Sequence, residues 1–149
     1  MSYKDNFEKR HHQSLKSEKH FEKVCKDNDV YYKSFGIEKA KYSLHNHYYL
    51  DYRLQCQPDY QAYLDDDLKF IEVKTFGNPL KIKEYDLESY RHWNIFNELL
   101  FFISYNYEKD YLIVSFNKIY NLIKNKLKKY YPDNEKIYYE FTLEELKKL

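Results

Sequence analysis

Two carboxylates and one amine occur in this chain at a spacing that could place them together at one site. Asp59 comes just before an alternating apolar and polar segment, and Glu72 and Lys74 lie in the short apolar run FIEVK. Side chains of a strand alternate between its two faces, so Glu72 and Lys74 would share one face while Ile71 and Val73 share the other. Carboxylate oxygens are ligands for hard divalent cations, and a cation held there could activate a water molecule.

A run of three aspartates, residues 65–67, separates the two alternating segments that carry these residues. A polar cluster between two such segments predicts a β-hairpin. In an antiparallel hairpin the first strand would bring Asp59 alongside the face that carries Glu72 and Lys74. The alternative is an ordinary amphipathic hairpin with a surface ion pair, which would contribute only about 0–1 kcal/mol.

The segment from Pro58 to Lys74 resembles the catalytic motif of the PD-(D/E)xK nuclease superfamily. Pro58 and Asp59 match its first element, and Glu72, Val73 and Lys74 match its second. The resemblance implies that Asp59 and Glu72 bind Mg²⁺ or Mn²⁺ and that the Val73 carbonyl adds a ligand. It also implies that Lys74 orients and activates the attacking water or stabilises negative charge on the phosphate.

A further metal ligand is implied on the first helix, which the apolar pattern predicts over residues 5–28. In this superfamily a first helix often presents a glutamate to the metal site. By resemblance, Glu18 is the first choice for that ligand and Glu22 the second. The two glutamates lie four residues apart and share one helix face, and the alternative for both is a solvated face that pairs with nearby lysines.

The helix after the ExK strand departs from the pattern of the superfamily. Many relatives carry a glutamine or a similar polar residue there, and this chain has Glu88, Ser89, Tyr90 and Arg91 in that region. Tyr90 or Arg91 could substitute for the glutamine. For each of the two residues, packing or solvation is the alternative.

Length and charge restrict the kinds of protein that fit. A chain of 149 residues predicts a single domain. Its net charge of +1 gives no overall basic field, so any nucleic-acid site must be a local patch. Four lysines of a predicted basic helix could contact phosphates, with a solvated face as the alternative: Lys124, Lys126, Lys128 and Lys129.

Cysteine and histidine usage does not indicate a metal cluster. Cys25 and Cys56 are far apart and form no CxxC pair, which favours reduced thiols and a cytoplasmic protein. His45 and His47 are too few for a zinc site, so we expect structural or solvated side chains. No apolar run approaches the ~18 residues that span a membrane, and the charged N-terminus does not resemble a signal peptide.

The pattern of elements predicts an α/β (α+β) fold with a mixed central sheet flanked by helices. We expect strands at residues 30–35 and 48–57, the hairpin, a short LKIK run, a helix up to residue 100, and two strands within 101–116. A helix over 117–131, with Asn117 as its cap and Leu127 on its buried face, a strand KIYYEF and a last helix capped by Thr142 and Glu145 should follow. The resemblance to a restriction-endonuclease-like core covers residues 14–116 of a single domain 1–149, and residues 117–149 form a C-terminal extension.

The resulting functional hypothesis is a divalent-metal-dependent nuclease, endonuclease or exonuclease, of phage or mobile-element origin. It would hydrolyse phosphodiester bonds in DNA, with RNA as the alternative substrate, and relatives that cut both strands commonly pair two subunits. A catalytically silent binding or inhibitor protein with the same fold is the competing hypothesis. The Asp59, Glu72 and Lys74 set argues against it, and the missing glutamine argues for it. A tyrosine-rich structural protein, which would need no site at all, is the third.

Overall fold

The computed structural model of this protein describes residues 3–36 and 51–149. The predicted strand at 48–57 and the pair His45 and His47 lie wholly or partly outside these ranges. In chain order the described elements are α1 (Tyr3–Asp27), β1 (Tyr32–Ser34), α2 (Tyr52–Gln55), β2 (Tyr60–Leu64), β3 (Asp67–Thr75), β4 (Leu80–Lys83), α3 (Glu84–Phe96), β5 (Leu99–Tyr105), β6 (Asp110–Ser115), α4 (Phe116–Ile123), β7 (Lys129–Tyr130), β8 (Ile137–Phe141) and α5 (Leu143–Lys147).

The predicted mixed sheet flanked by helices is confirmed. Five strands form the main sheet in the order β1-β2-β3-β5-β6, and a smaller sheet has the order β4-β8-β7. The pair β3 and β5 is parallel, while β1–β2, β2–β3 and β5–β6 are antiparallel. A parallel pair needs a crossover connection, and β4 with α3 supplies it.

Strand β3 lies in the middle of the main sheet, and its alternation divides the core into two parts. Ile71 and Val73 pack with Phe21 and Cys25 of α1 on one face. Phe70 faces the opposite side, where it belongs to the cluster formed with residues of α3, α4 and the smaller sheet. Both faces of the strand are therefore covered by apolar side chains.

The hairpin between β2 and β3 has a two-residue turn. Leu64 pairs with Asp67, which leaves Asp65 and Asp66 as the turn, with φ values of 52° and 60°. A type I′ turn requires a positive φ at both central residues, and aspartate is among the residues that tolerate it. This turn sets the register in which Tyr60 pairs with Ile71.

Three element predictions are wrong in their boundaries. Of the predicted strand 48–57, the structure describes residues 51–57, and these contain the short helix α2 instead of a strand. Helix α3 ends at Phe96, and residues 99–105 form a strand because their continuous apolar run pairs with β3 and β6. Helix α4 ends at Ile123 and is capped by Ser115, whose side chain accepts the Lys118 N–H, so Asn117 is not its cap. Leu127, predicted to be buried, is 86% exposed.

The C-terminal third belongs to the same core as the rest of the chain. Strand β8 pairs with β4, and Tyr139, Phe141 and Leu146 pack in the cluster that contains Phe70. The predicted capping box at the last helix is confirmed, with reciprocal hydrogen bonds between Thr142 and Glu145. Among the helices that the structure describes, none combines the length and the apolar character needed to cross a bilayer.

Candidate active site

Asp59 lies immediately before β2 and is held there by the backbone that follows β1. Its carbonyl oxygen accepts the N–H groups of Phe35 and Gly36 at 2.9 and 3.2 Å. A Cβ atom on Gly36 would lie 3.2 Å from the carbonyl oxygen of Pro58 and 3.4 Å from the Cα of Asp59. Glycine at position 36 therefore permits the close approach of these two segments.

The side chain of Asp59 reaches across to β3. Its Oδ2 accepts the backbone N–H of Val73 at 2.8 Å, just beyond the last paired residues of the hairpin. The N–H and C=O groups of one strand residue point toward the same neighbouring strand. The Val73 carbonyl therefore points to the side of β3 on which Asp59 lies, as the predicted ligand set requires.

Glu72 and Lys74 form an ion pair on the face of β3 that α3 covers. Lys74 Nζ lies 3.1 Å from Glu72 Oε1, and the two side chains are only 25% and 13% exposed. This is not the solvated surface pair of the alternative hypothesis. A pair with so little exposure is screened less by water than a surface pair, so it has a larger effect on its neighbours.

Tyr90 of α3 is the third group at this position. Its hydroxyl donates to Glu72 Oε1 at 3.2 Å, and Lys74 Nζ lies 5.5 Å from the centre of its ring. Of the two substitutes considered for the missing glutamine, the structure brings Tyr90 to the site. Arg91 is not brought there, because it lies on the outer side of α3, where it pairs with Glu88 and lies over the Tyr120 ring.

Asp86 is a member of the site that sequence reasoning missed. It lies one helical turn before Tyr90 on α3, and its negative charge acts on Glu72, Lys74 and Tyr90. The Cys56 thiol donates to its Oδ1 at 3.7 Å. The spacing of four residues between Asp86 and Tyr90 was a usable signal, since it places both on one helix face.

Burial and crowding perturb both carboxylates of the motif. Burial raises the pKa of Asp59 to about 6, although the hydrogen bond from Val73 and the charge of Lys74 both lower it. Burial and then the charge of Asp59 raise the pKa of Glu72 to about 8, against the effect of Lys74. Two carboxylates that disfavour each other's ionised form are stabilised by a cation placed between them.

Lys74 remains a cation in this environment. Burial alone would lower the pKa of Lys74, but Tyr90, Glu72 and Asp86 together hold it well above its usual value. The thiol of Cys56 stays protonated, because burial and then the negative charge of Asp86 raise its pKa to about 12. Cys56 is therefore an unreactive thiol that connects the segment before Asp59 to α3.

The two glutamates of the first helix have different neighbours at this end of the sheet. The charge of Glu18 is one of the causes that raise the pKa of Asp59. Glu22 instead accepts the hydroxyl of Tyr60 at 2.8 Å. The choice of Glu18 as the first and Glu22 as the second candidate ligand stays a prediction.

Two buried polar pairs fix the position of α1 on the sheet. Ser17 Oγ lies 2.6 Å from Thr75 Oγ1, directly after Lys74 on β3. His20 Nδ1 lies 2.7 Å from Ser104 Oγ on β5, and burial lowers the pKa of His20. These pairs determine where Glu18 lies relative to the ends of β3 and β5.

The oxygen atoms at this position are of the type that binds a divalent cation, but the side chains alone do not form a complete metal site. Asp59, Glu72 and the Val73 carbonyl supply only oxygen atoms, which suits Mg²⁺ or Mn²⁺. Within residues 3–36 and 51–149, however, no three His, Cys, Asp or Glu side chains are grouped so that they could hold a metal ion. A cation here would draw on the backbone carbonyl and on water or substrate oxygens, as Mg²⁺ commonly does.

Three of the four lysines considered as phosphate contacts have carboxylate partners. Lys126 pairs with Glu145, Lys128 with Glu84 and Lys129 with Glu140. Lys124 lies 5.7 Å from the centre of the Tyr120 ring. These contacts favour the alternative of a solvated and internally paired surface.

No protein-family model and no curated protein matches this sequence.

Proposed function

We propose that this protein is a metal-dependent nuclease that hydrolyses phosphodiester bonds in DNA. The observation that carries the proposal is the arrangement of three motif side chains at the end of one hairpin. Asp59 accepts the Val73 N–H, and Glu72, one position before Val73, pairs with Lys74, one position after it. The PD-(D/E)xK resemblance gives each of these residues a role in phosphodiester hydrolysis.

In this proposal Asp59, Glu72 and the Val73 carbonyl hold Mg²⁺ or Mn²⁺, with Glu18 as a further carboxylate at the same side. The bound cation would supply Lewis-acid activation of a water molecule. The chain's own residues hold these ligands in place: the Val73 N–H orients Asp59, and the Tyr90 hydroxyl orients Glu72.

Lys74 acts as a fixed positive charge. Its raised pKa argues against a role as the base that removes a proton from water, because a neutral amine is rare at neutral pH. Of the two roles implied for Lys74, stabilising the charge that develops on the phosphate oxygens is the better supported. The ion pair with Glu72 limits its motion before substrate arrives.

A catalytically silent binding protein is the second candidate. One observation favours it: the described residues hold no group of three metal-ligating side chains arranged for an ion. The paired and buried Asp59, Glu72 and Lys74 would then be an internal polar cluster, and DNA or protein binding would need no metal.

A metal titration followed by a cleavage assay separates the two candidates. Calorimetric titration with Mn²⁺ should detect one site in the wild-type protein, and Glu72→Gln should weaken it at least tenfold. Plasmid and single-stranded DNA incubated with Mg²⁺ or Mn²⁺ should be cut by the wild-type protein and remain intact with Glu72→Gln. Absence of both Mn²⁺ binding and cleavage would leave the binding protein as the function.

Glu18 and Glu22 offer a matched pair of controls on one helix. Glu18→Gln should weaken Mn²⁺ binding, because its charge acts on Asp59. Glu22→Gln should not, because Glu22 accepts from the Tyr60 hydroxyl and a glutamine oxygen can still do so. Equal effects of the two substitutions would show that α1 contributes only a general negative charge.

A further inference from the structure

One face of α3 contacts both segments that carry the motif. Four of its residues are spaced three or four positions apart, which places them on the same side of the helix: Asp86, Ser89, Tyr90 and Trp93. Tyr90 contacts Glu72 on β3. The other three contact the segment that leads into Asp59. A single helix face therefore lies between the two halves of the motif.

Hydrogen bonds from this face reach the main chain of the segment before Asp59. The Trp93 indole N–H donates to the Arg53 carbonyl at 3.0 Å, and the Ser89 hydroxyl donates to the Cys56 carbonyl at 3.2 Å. Because both acceptors are backbone carbonyl groups, α3 fixes the path of the main chain itself. The Cys56 thiol adds a third contact, to Asp86, as described above.

The segment needs such partners because it has little regular structure of its own. Helix α2 spans only four residues, Tyr52–Gln55, and a helix of that length is not stable by itself in water. The last carbonyl groups of a helix have no partner within it. Trp93 and Ser89 supply donors for two carbonyl groups in and just after α2. The position of α2 is therefore set by α3.

A purely structural role is the alternative for both donors. Ser89 is fully buried, so its hydroxyl requires a partner in any case. A serine inside a helix can meet this requirement by donating to a carbonyl of its own helix, but Ser89 donates to Cys56 on a different element. The Trp93 ring packs against Phe35 and Phe70, and this packing does not require the indole N–H. Packing alone therefore does not account for the two donors.

The connection from Cys56 to Asp59 is short and restricted. Only Gln57 and Pro58 lie between them, and Pro58 is fully buried, with its φ fixed by the ring. A shift of the Cys56 main chain would therefore move Asp59 as well. The Asp59 carboxylate would then lose its short contact with the Val73 N–H.

We propose that Ser89 and Trp93 are positioning residues for Asp59. Through the main chain of residues 53–56 they set the position from which the Asp59 carboxylate reaches β3. Tyr90, on the same face of α3, positions Glu72. The role of Asp59 as a metal ligand rests on the proposed nuclease function, but its position can be measured without metal or DNA.

Hydrogen exchange of individual amides, followed by NMR in the metal-free protein, reports this position. The Val73 N–H is protected by the Asp59 carboxylate, whereas Ile71 lies in the paired part of the same hairpin, opposite Tyr60. The protection ratio is defined as the protection factor of Val73 divided by that of Ile71. A fall in this ratio reports a local change near Asp59 and not a loss of global stability.

The double variant Ser89→Ala/Trp93→Phe removes both donors and keeps a small side chain and an aromatic ring in place. The protection ratio should fall about tenfold, as loss of two hydrogen bonds of ordinary strength would give. Mn²⁺ affinity should fall by a similar factor. The cleavage rate at saturating Mn²⁺ should stay close to that of the wild type, because Glu72 and Lys74 are unchanged. Trp93→Phe alone should shift the ratio in the same direction and tests the proposal if the double variant does not fold.

Asn94 provides a matched control on the same helix. Its side chain donates to Asn117 and accepts the Leu99 N–H, so Asn94→Ala also removes two hydrogen bonds from α3. These bonds lead to α4 and β5 rather than to α2. The control should lower the free energy of unfolding and leave both the protection ratio and the Mn²⁺ affinity unchanged.

The exchange and cleavage measurements separate this proposal from the nuclease function. The positioning role is overturned if Val73 and Ile71 lose protection equally in the donor variants, or if Asn94→Ala lowers the protection ratio as much as they do. A wild-type protein that neither binds Mn²⁺ nor cuts DNA ends the nuclease proposal, and the protection ratio still decides the positioning role. Mn²⁺-dependent cutting together with an unchanged ratio in the donor variants ends the positioning role and leaves the nuclease proposal intact.

Discussion

Tyr90 donates its hydroxyl hydrogen to Oε1 of Glu72 across 3.2 Å, and this bond connects α3 to β3 within the candidate active site. The same oxygen lies 3.1 Å from Lys74 Nζ. Glu72 is therefore held from two directions, by a neutral donor and by a cation. The predictions for the site follow from this shared acceptor.

Tyr90→Phe should reduce Mn²⁺ affinity or cleavage rate by about 10–100-fold, as removal of a hydrogen bond to a metal ligand commonly does. The ring should keep its packing against Phe101 and Phe116, so stability should fall by only about 0.5–1.5 kcal/mol. Calorimetry with Mn²⁺ and urea unfolding measure the two effects. Tyr107→Phe, at an exposed turn, is the control that should change neither.

Lys74→Ala should reduce cleavage by about 10²–10³-fold, because one well-placed positive group at the developing charge is lost. It should also cost about 1–3 kcal/mol of stability, since Glu72 is left with little exposure and without its cation. Added Mn²⁺ should not restore the rate. The control on the same strand is Lys69→Ala, which removes a pair with Glu98 and should leave cleavage unchanged; an equal loss there would contradict the assigned role of Lys74.

Asp59→Ala should reduce cleavage by weakening metal binding, so that raising the Mn²⁺ concentration recovers part of the rate. It should also destabilise the fold by about 1–3 kcal/mol, because the Val73 N–H loses its acceptor. Asp59→Asn retains an oxygen for that N–H and should lose metal affinity with a smaller loss of stability. Similar unfolding curves for the two variants would show that the Val73 hydrogen bond matters little.

The metal-free protein should become less stable as pH rises from about 4.5 to about 8. The pKa of Glu72 is 4.5 in its ordinary state and about 8 in the fold, mainly because of burial, so over this range the folded state binds more protons than the unfolded state. The free energy of unfolding then falls as pH rises. Thermal unfolding across this range measures the effect, which saturating Mn²⁺ should offset at the alkaline end.

The variant Glu72→Gln separates the contribution of Glu72 to the pH dependence of stability from the contributions of other titrating groups. His20 acts in the opposite direction, because burial lowers its pKa and stability is lost as pH falls below its usual 6.5. The difference between the wild type and Glu72→Gln should therefore shrink toward acid pH and grow toward pH 8. A constant difference across the range would contradict the raised pKa of Glu72.

Ile119→Ala should cost about 2–5 kcal/mol, as loss of a large core side chain does, while Leu127→Ala should stay within about 0.5 kcal/mol. Ile119 is fully buried in the cluster that contains Phe70, and Leu127 is exposed beyond the end of α4. Urea unfolding of both variants measures the contrast. It tests whether the C-terminal third stabilises the strand that carries the site.

Local sequence was enough to predict the central hairpin and the side chains that it brings together. Asp59 and Glu72 are thirteen positions apart, with only a short turn between their strands, so alternation and the aspartate cluster suffice to place them side by side. The capping box at Thr142 and Glu145 was predictable for the same reason, since all of its contacts lie within one helical turn.

The predicted ends of helices and strands were wrong where packing in the core, rather than the local sequence pattern, decides where an element ends. Leu99 and Leu100 continue an apolar periodicity that also suits a helix, but their pairing with Phe70 and Ile71 makes them part of β5. Leu127 fits the periodic pattern of α4, yet the helix ends at Ile123 and leaves that side chain in solvent. Periodicity indicates which faces are apolar and does not indicate where the neighbouring elements end.

The sequence by itself determined the hairpin, the shared strand face of Glu72 and Lys74, and the nearness of Asp59, because these depend on the two-residue period of a strand and one short turn. Tertiary structure alone decided that Tyr90 and Asp86 lie close to Glu72 and Lys74, and that Arg91 pairs with Glu88 instead. These contacts depend on how α3 packs after the crossover between β3 and β5. The orientation of that helix is set by many weak apolar contacts distant in sequence, and no local pattern encodes it.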